Sequence, residues 1–129
     1  MADPDPRDPT PASSGPSETS PRRADAKLVL IRHGQTEWAA SGRHTGRTDI
    51  SLTADGEDQA RAAGLRMAAL GLHRPLVVSS PRSRALRTAE LAGLTVDRVW
   101  DALVEWDYGD YEGLTTPQIR ETAPHWTVW

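Results

Sequence analysis

The chain has 129 residues and a net charge of −3, enough for one domain. It has no cysteine, which excludes disulfides, thiolate metal sites and a cysteine nucleophile. Of its fifteen basic residues fourteen are Arg, but they alternate with Asp and Glu and form no basic stripe, so the pattern argues against a nucleic-acid partner.

Residues 1–26 hold six of the ten prolines and almost nothing large and apolar. Such a stretch cannot bury enough surface to offset its ordering entropy, so it reads as a disordered tail. No apolar stretch follows Met1 as in a secretory leader, and no run approaches a membrane span. The reading is therefore a cytoplasmic protein with no membrane partner. Leu28–Ile31 is a short apolar run without alternation, as in a buried parallel strand. Residues 34–51 are rich in Gly and polar side chains and read as loop, with one helical turn near Gln35–Ala40. Thr53 is a predicted N-cap, with Asp55, Glu57 and Asp58 in the first turn. Ala60, Ala63, Met67 and Leu70 share one face of that helix, and Gly71 stops it. Leu76–Val78 is a second predicted buried strand. Ser80 and Pro81 open a second helix, packed through Ala85, Ala89 and Ala92 and ended by Gly93. A third strand is expected near Val96–Trp100. Loop then runs through Gly113, followed by a short helix over Thr116–Thr122. Alternating strands and helices predict an α/β fold with a mostly parallel sheet flanked by helices.

The chemistry centres on Arg32-His33-Gly34, where the first apolar run ends. Ligands of open α/β sheets sit beyond the carboxyl ends of strands. Arginine forks onto two phosphate oxygens. Histidine is nucleophilic near neutral pH and can carry a phosphoryl group. A second arginine, Arg84, falls in the first turn of the second helix, where backbone amides also favour an anion. Arg82 and Arg87, on the same helix, read as surface charges. His44 either reaches the same pocket or is an exposed loop residue, and His73 reads as surface.

Four segments occur in order: Leu30-Ile31-Arg32-His33-Gly34-Gln35-Thr36-Glu37-Trp38, Thr45-Gly46-Arg47-Thr48-Asp49-Ile50-Ser51-Leu52-Thr53, Ser79-Ser80-Pro81-Arg82-Ser83-Arg84-Ala85-Leu86-Arg87-Thr88-Ala89-Glu90, and Glu105-Trp106-Asp107-Tyr108-Gly109-Asp110-Tyr111-Glu112-Gly113. Together they resemble the histidine phosphatase superfamily, also called phosphoglycerate-mutase-like, over residues 27 to 129. The resemblance implies a metal-independent phosphomonoesterase with no cofactor. Its substrate would be a small phosphorylated metabolite, a sugar phosphate among the candidates. It implies His33 as nucleophile, Arg32 and Arg84 as phosphate clamps and Glu105 as proton donor to the leaving oxygen. It implies Thr45, Gly46 and Tyr108 as substrate contacts.

The family's second catalytic histidine, in a His-Gly pair after a later strand, finds no match, since His125 is followed by Trp126. The resemblance thus covers the front part of the family domain, and the chain reads as truncated. That leaves Leu28–Ile31 as an unpaired sheet edge through which copies could self-associate. Ala39, where the mutases carry Asn, and the direct run from Gly113 to Leu114-Thr115-Thr116-Pro117 point to the phosphatase branch. The competing readings are a non-catalytic fragment that binds phosphate or a partner, and a phosphoglycerate-type mutase.

Overall fold

The computed structural model describes residues 26–129. The predicted tail, apart from Ala26, lies outside the described residues. A one-turn helix α1 (Glu37–Ala40) is followed by α2 (Ala54–Ala69), strand β1 (Val78–Ser79), α3 (Ser83–Leu91), strand β2 (Arg98–Val99) and α4 (Thr116–Thr122). Two single-turn 3₁₀ helices, Asp101–Leu103 and Gly109–Tyr111, interrupt the segment predicted as plain loop.

The helix ends follow local chemistry. Thr53 caps α2, its hydroxyl accepting from the Gly56 N–H at 3.1 Å, and Asp55 and Glu57 favour the positive end of the helix. Gly71, at φ +59°, turns the chain out of α2 as predicted. Thr115 and Gln118 cap α4 reciprocally, with Pro117 in its first turn. Helix α3 begins at Ser83, later than the Ser80-Pro81 signal suggests. Its first amide is satisfied from a distance: Asp49 Oδ1 accepts from Ser83 N–H at 2.9 Å and from Ser83 Oγ at 2.7 Å. A remote carboxylate thus takes the place of a local cap.

Helices α2 and α3 pack on each other and α3 lies against β1. The crossing of α2 and α3 is close because Gly64 faces Ala92, where a Cβ would run into the Ala92 carbonyl. Ala60, Ala89, Ala92 and Ile119 are the buried apolar side chains among the described residues. The two strands pair in parallel, Val78 opposite Arg98 and Ser79 opposite Val99, with α3 as the crossover between them. This is the predicted α/β arrangement, reduced to one β-α-β unit.

The first strand prediction is corrected. Leu28–Ile31 pairs with no strand, and Leu28 and Leu30 are 84% and 85% exposed. Residues 27–33 and β1 both line one cleft. An apolar run becomes a buried strand only where a neighbour takes its amides, and among the described residues none does. The second strand is shifted and shortened: Leu76 is exposed, and pairing starts only at Val78.

Candidate active site

Arg32, His33, Arg84, Glu105 and Tyr108 all line one cleft, of about 1210 Å³. Their positions have separate local causes. His33 is held through its neighbours. Gly34 N–H donates to Thr88 Oγ1 at 3.0 Å, and that hydroxyl donates to the Arg84 carbonyl at 2.7 Å. A Cβ on Gly34 would collide with the backbone of Gly56, so only glycine lets the segment after His33 lie against the start of α2. His33 is thereby tied to α2 and α3 rather than to its own strand.

The His33 ring is half-buried, and Nδ1–H donates to the Gly34 carbonyl at 2.7 Å. With Nδ1 carrying the proton, Nε2 keeps a free lone pair. Burial pushes the imidazole below its ordinary pKa. The bond to Gly34 opposes that shift, the positive charges of Arg84 and Arg32 add to it, and Glu105 opposes it. The ring is therefore held neutral and nucleophilic over a wider acid range than a free histidine.

Arg84 is 2% exposed. One guanidinium nitrogen donates to Thr48 O and the other to Gly46 O, each at 2.8 Å. Burial lowers its pKa, and Asp49 opposes that effect. Arg32 and Glu105 are exposed, and Glu105 Oε1 accepts from the Trp106 N–H at 2.9 Å. Tyr108 is half-buried, and burial first and Glu105 second raise its pKa.

Thr45 and Gly46 do not line the cleft. Thr45 Oγ1 donates to Arg43 O at 3.4 Å, and Gly46 N–H donates to Glu112 Oε1 at 2.8 Å. His44 is neither in the cleft nor exposed. Its ring packs 4.9 Å from Tyr108 and 5.0 Å from Trp126, and Nε2 bonds Thr116 Oγ1 at 2.9 Å. Arg87 is a surface charge, as expected, in ion pairs with Glu57 and Glu90. The expectation that Arg82 is another is corrected: it is half-buried and lines the cleft, and its Nε is shielded without a hydrogen-bond partner.

Sequence reasoning missed Thr88, Gly56 and Glu112, which hold the site from outside. Their signal in the sequence is weak: a Thr on an Ala-rich helix face, and an acid beside Gly113. Among the described residues no three His, Asp or Glu side chains converge as metal ligands, and no helix is long and apolar enough to cross a membrane.

The family model of the histidine phosphatase superfamily (branch 1) matches residues 28–129. An acid phosphatase of Mycobacterium tuberculosis is 57% identical over 103 residues, covering 80% of this chain and 51% of that protein. A sedoheptulose 1,7-bisphosphatase of Saccharomyces cerevisiae is 34% identical over 128 residues, covering 80% and 46%. A solved structure of an open reading frame from Mycobacterium tuberculosis superposes with a TM-score of 0.73 at 58% identity, covering 75% of this chain and 50% of that one. The chain spans about half the length of the curated relatives it matches.

Proposed function

The chain belongs to the histidine phosphatase superfamily, and from that premise we propose that the protein hydrolyses phosphate monoesters of small metabolites through a phosphohistidine on His33. The observation that carries the proposal is the Nδ1–H bond to Gly34, which leaves Nε2 free in a cleft that Arg32, Arg82, Arg84 and Glu105 also line.

In the first step the Nε2 lone pair attacks phosphorus and the ester P–O bond breaks. Arg32 and Arg84 neutralise the non-bridging oxygens. Protonated Glu105 gives its proton to the leaving oxygen, releasing an alcohol and leaving a carboxylate. In the second step water attacks phosphorus, Glu105 takes up a water proton, and the P–N bond breaks to return neutral His33 and inorganic phosphate. No metal or cofactor enters this scheme. Resemblance to a bisphosphatase and an acid phosphatase supports a phosphatase. Ala39 and the uninterrupted run after Gly113 weigh against a mutase. The small phosphorylated substrate is the partner we assign, a sugar phosphate being the leading class.

The test is rapid-quench trapping of an acid-labile phosphoenzyme, together with turnover of a generic phosphate monoester in chelator. The protein should give both, and His33→Ala should give neither. A phosphoenzyme that survives in His33→Ala would assign the nucleophile elsewhere. Activity lost in chelator and restored by divalent metal would overturn the scheme.

A further inference from the structure

Arg84 is oriented by two carbonyls, those of Gly46 and Thr48. The amides of the same stretch converge on one side chain 64 to 66 residues away. Glu112 Oε1 accepts from Gly46 N–H at 2.8 Å and from Arg47 N–H at 3.0 Å. Glu112 Oε2 accepts from Thr48 N–H at 3.2 Å and from Thr48 Oγ1 at 2.6 Å. Three successive amides and a hydroxyl around one carboxylate form an anion-binding concavity filled from within. Gly46 is needed for it, because a Cβ there would strike the Trp106 carbonyl and approach Glu112 itself.

We infer that Glu112 is a positioning residue for Arg84: its carboxylate fixes the peptides of residues 46–48 so that their carbonyls hold the guanidinium in place. The inference rests on Arg84 being a phosphate clamp, as proposed above. The amide and the carbonyl of Gly46 are both engaged, as are those of Thr48. A shift of either amide therefore moves an acceptor of Arg84. A second carboxylate, Asp49, fixes the next residue of the loop to the first turn of α3. The loop is thus held at both ends, by Glu112 from the 3₁₀ segment and by α3, the helix that carries Arg84. Glu112 is suited to the task because it stays charged. Burial opposes ionisation, but the bonds from Thr48, Arg47 and Gly46 outweigh it and hold the carboxyl below its ordinary range.

The experiment measures exchange of the Arg84 guanidinium protons by nitrogen-resolved NMR and the affinity for inorganic phosphate. Glu112→Gln places an amide N–H against donor N–H groups, and Glu112→Ala removes the acceptor. Each should speed Arg84 guanidinium exchange by at least about tenfold and weaken phosphate binding by about tenfold, the equivalent of about 1.4 kcal/mol. Thr48→Val, which deletes only the 2.6 Å hydroxyl bond, should shift both in the same direction by less. It also decides the matter if the Glu112 variants fail to fold. Asp107→Asn is the control, since Asp107 pairs with Arg47 of the same loop through exposed side chains. Unchanged Arg84 exchange in folded Glu112→Gln would overturn the inference, as would an equal change in Asp107→Asn. A wild-type protein that binds no phosphate would sink the proposed function, while Arg84 exchange would still decide the role of Glu112.

Discussion

On the α3 side of the cleft Arg84 is buried, its donors find carbonyls at 2.8 Å, and the loop that supplies them is itself clamped by Glu112 and Asp49. Leu28–Arg32, which lines the same cleft, pairs with no strand and exposes most of its side chains. His33 sits at the join. Its own Nδ1 bond and the bond from Gly34 to Thr88 belong to the finished side, while the residues just before it belong to the other. The contrast shows that the side chain proposed as nucleophile is located from its C-terminal side, through a glycine and a helix threonine, without a completed strand before it.

The steepest test of that asymmetry is Gly34→Ala. The new Cβ would meet the carbonyl oxygen, carbonyl carbon and Cα of Gly56, backbone that cannot swing aside as a side chain can. Overpacking of this kind costs about 3 kcal/mol, read as a lower denaturant midpoint with the slope unchanged. A loss under about 1 kcal/mol would mean that His33 is not held from this side. Thr88→Val comes next. It keeps the shape but leaves the buried Gly34 N–H without its acceptor, at about 2 kcal/mol. Because Gly34 follows His33 directly, phosphoenzyme formation should fall along with stability.

A smaller effect is expected in the titration of His33. Its pKa in the folded chain lies below the ordinary histidine value, first through burial and then through Arg84 and Arg32. Above the unfolded value, near 6.5, both states are neutral and the group contributes nothing. As pH falls below that, the unfolded chain takes up the proton first, so stability declines through this window down to the folded pKa. Arg84→Gln should raise the His33 pKa, seen by following the ring carbon protons in NMR. If it falls or stays, Arg84 is not close enough to clamp a phosphate beside the nucleophile.

The sequence is most readable where structure is local. The Thr53 cap, the Gly71 stop and helix α4 follow from side chains within a turn of one another, and α4 occupies the span its residues predict. It is least readable where a partner far along the chain decides. Ser83 is capped by Asp49, 34 residues away, and this delays α3 past the expected Pro81 start. The same distance hides Glu112 and Thr88, whose bonds reach back 54 to 66 residues. Leu28–Ile31 departs from expectation for the opposite reason. Its composition asks for burial between neighbours, and strand pairing is a property of those neighbours rather than of the run itself.

The least costly substitutions for stability lie on that unpaired segment, and they carry the most information about association. Leu28 and Leu30 are 84% and 85% exposed, so replacing both with Ser removes little buried apolar surface. The change in unfolding free energy should stay within about 0.5 kcal/mol. The same residues flank unpaired backbone groups and line a cleft together with Val77, and Leu76 and Trp129 add exposed apolar area to that lining. Unpaired amides beside apolar side chains are a template for strand addition by another chain. The chain should therefore self-associate. In the double Ser variant the larger species should shrink toward monomer on a sizing column, while the melting temperature hardly moves. Lys at the same two positions should act more strongly, since like charges on facing copies add repulsion to the lost apolar contact. A clean monomer from the unsubstituted chain would mean that the segment is covered in solution. A loss of stability well beyond about 0.5 kcal/mol in the Ser variant would say the same, and either result would erase the difference between the Arg84 region and Leu28–Arg32.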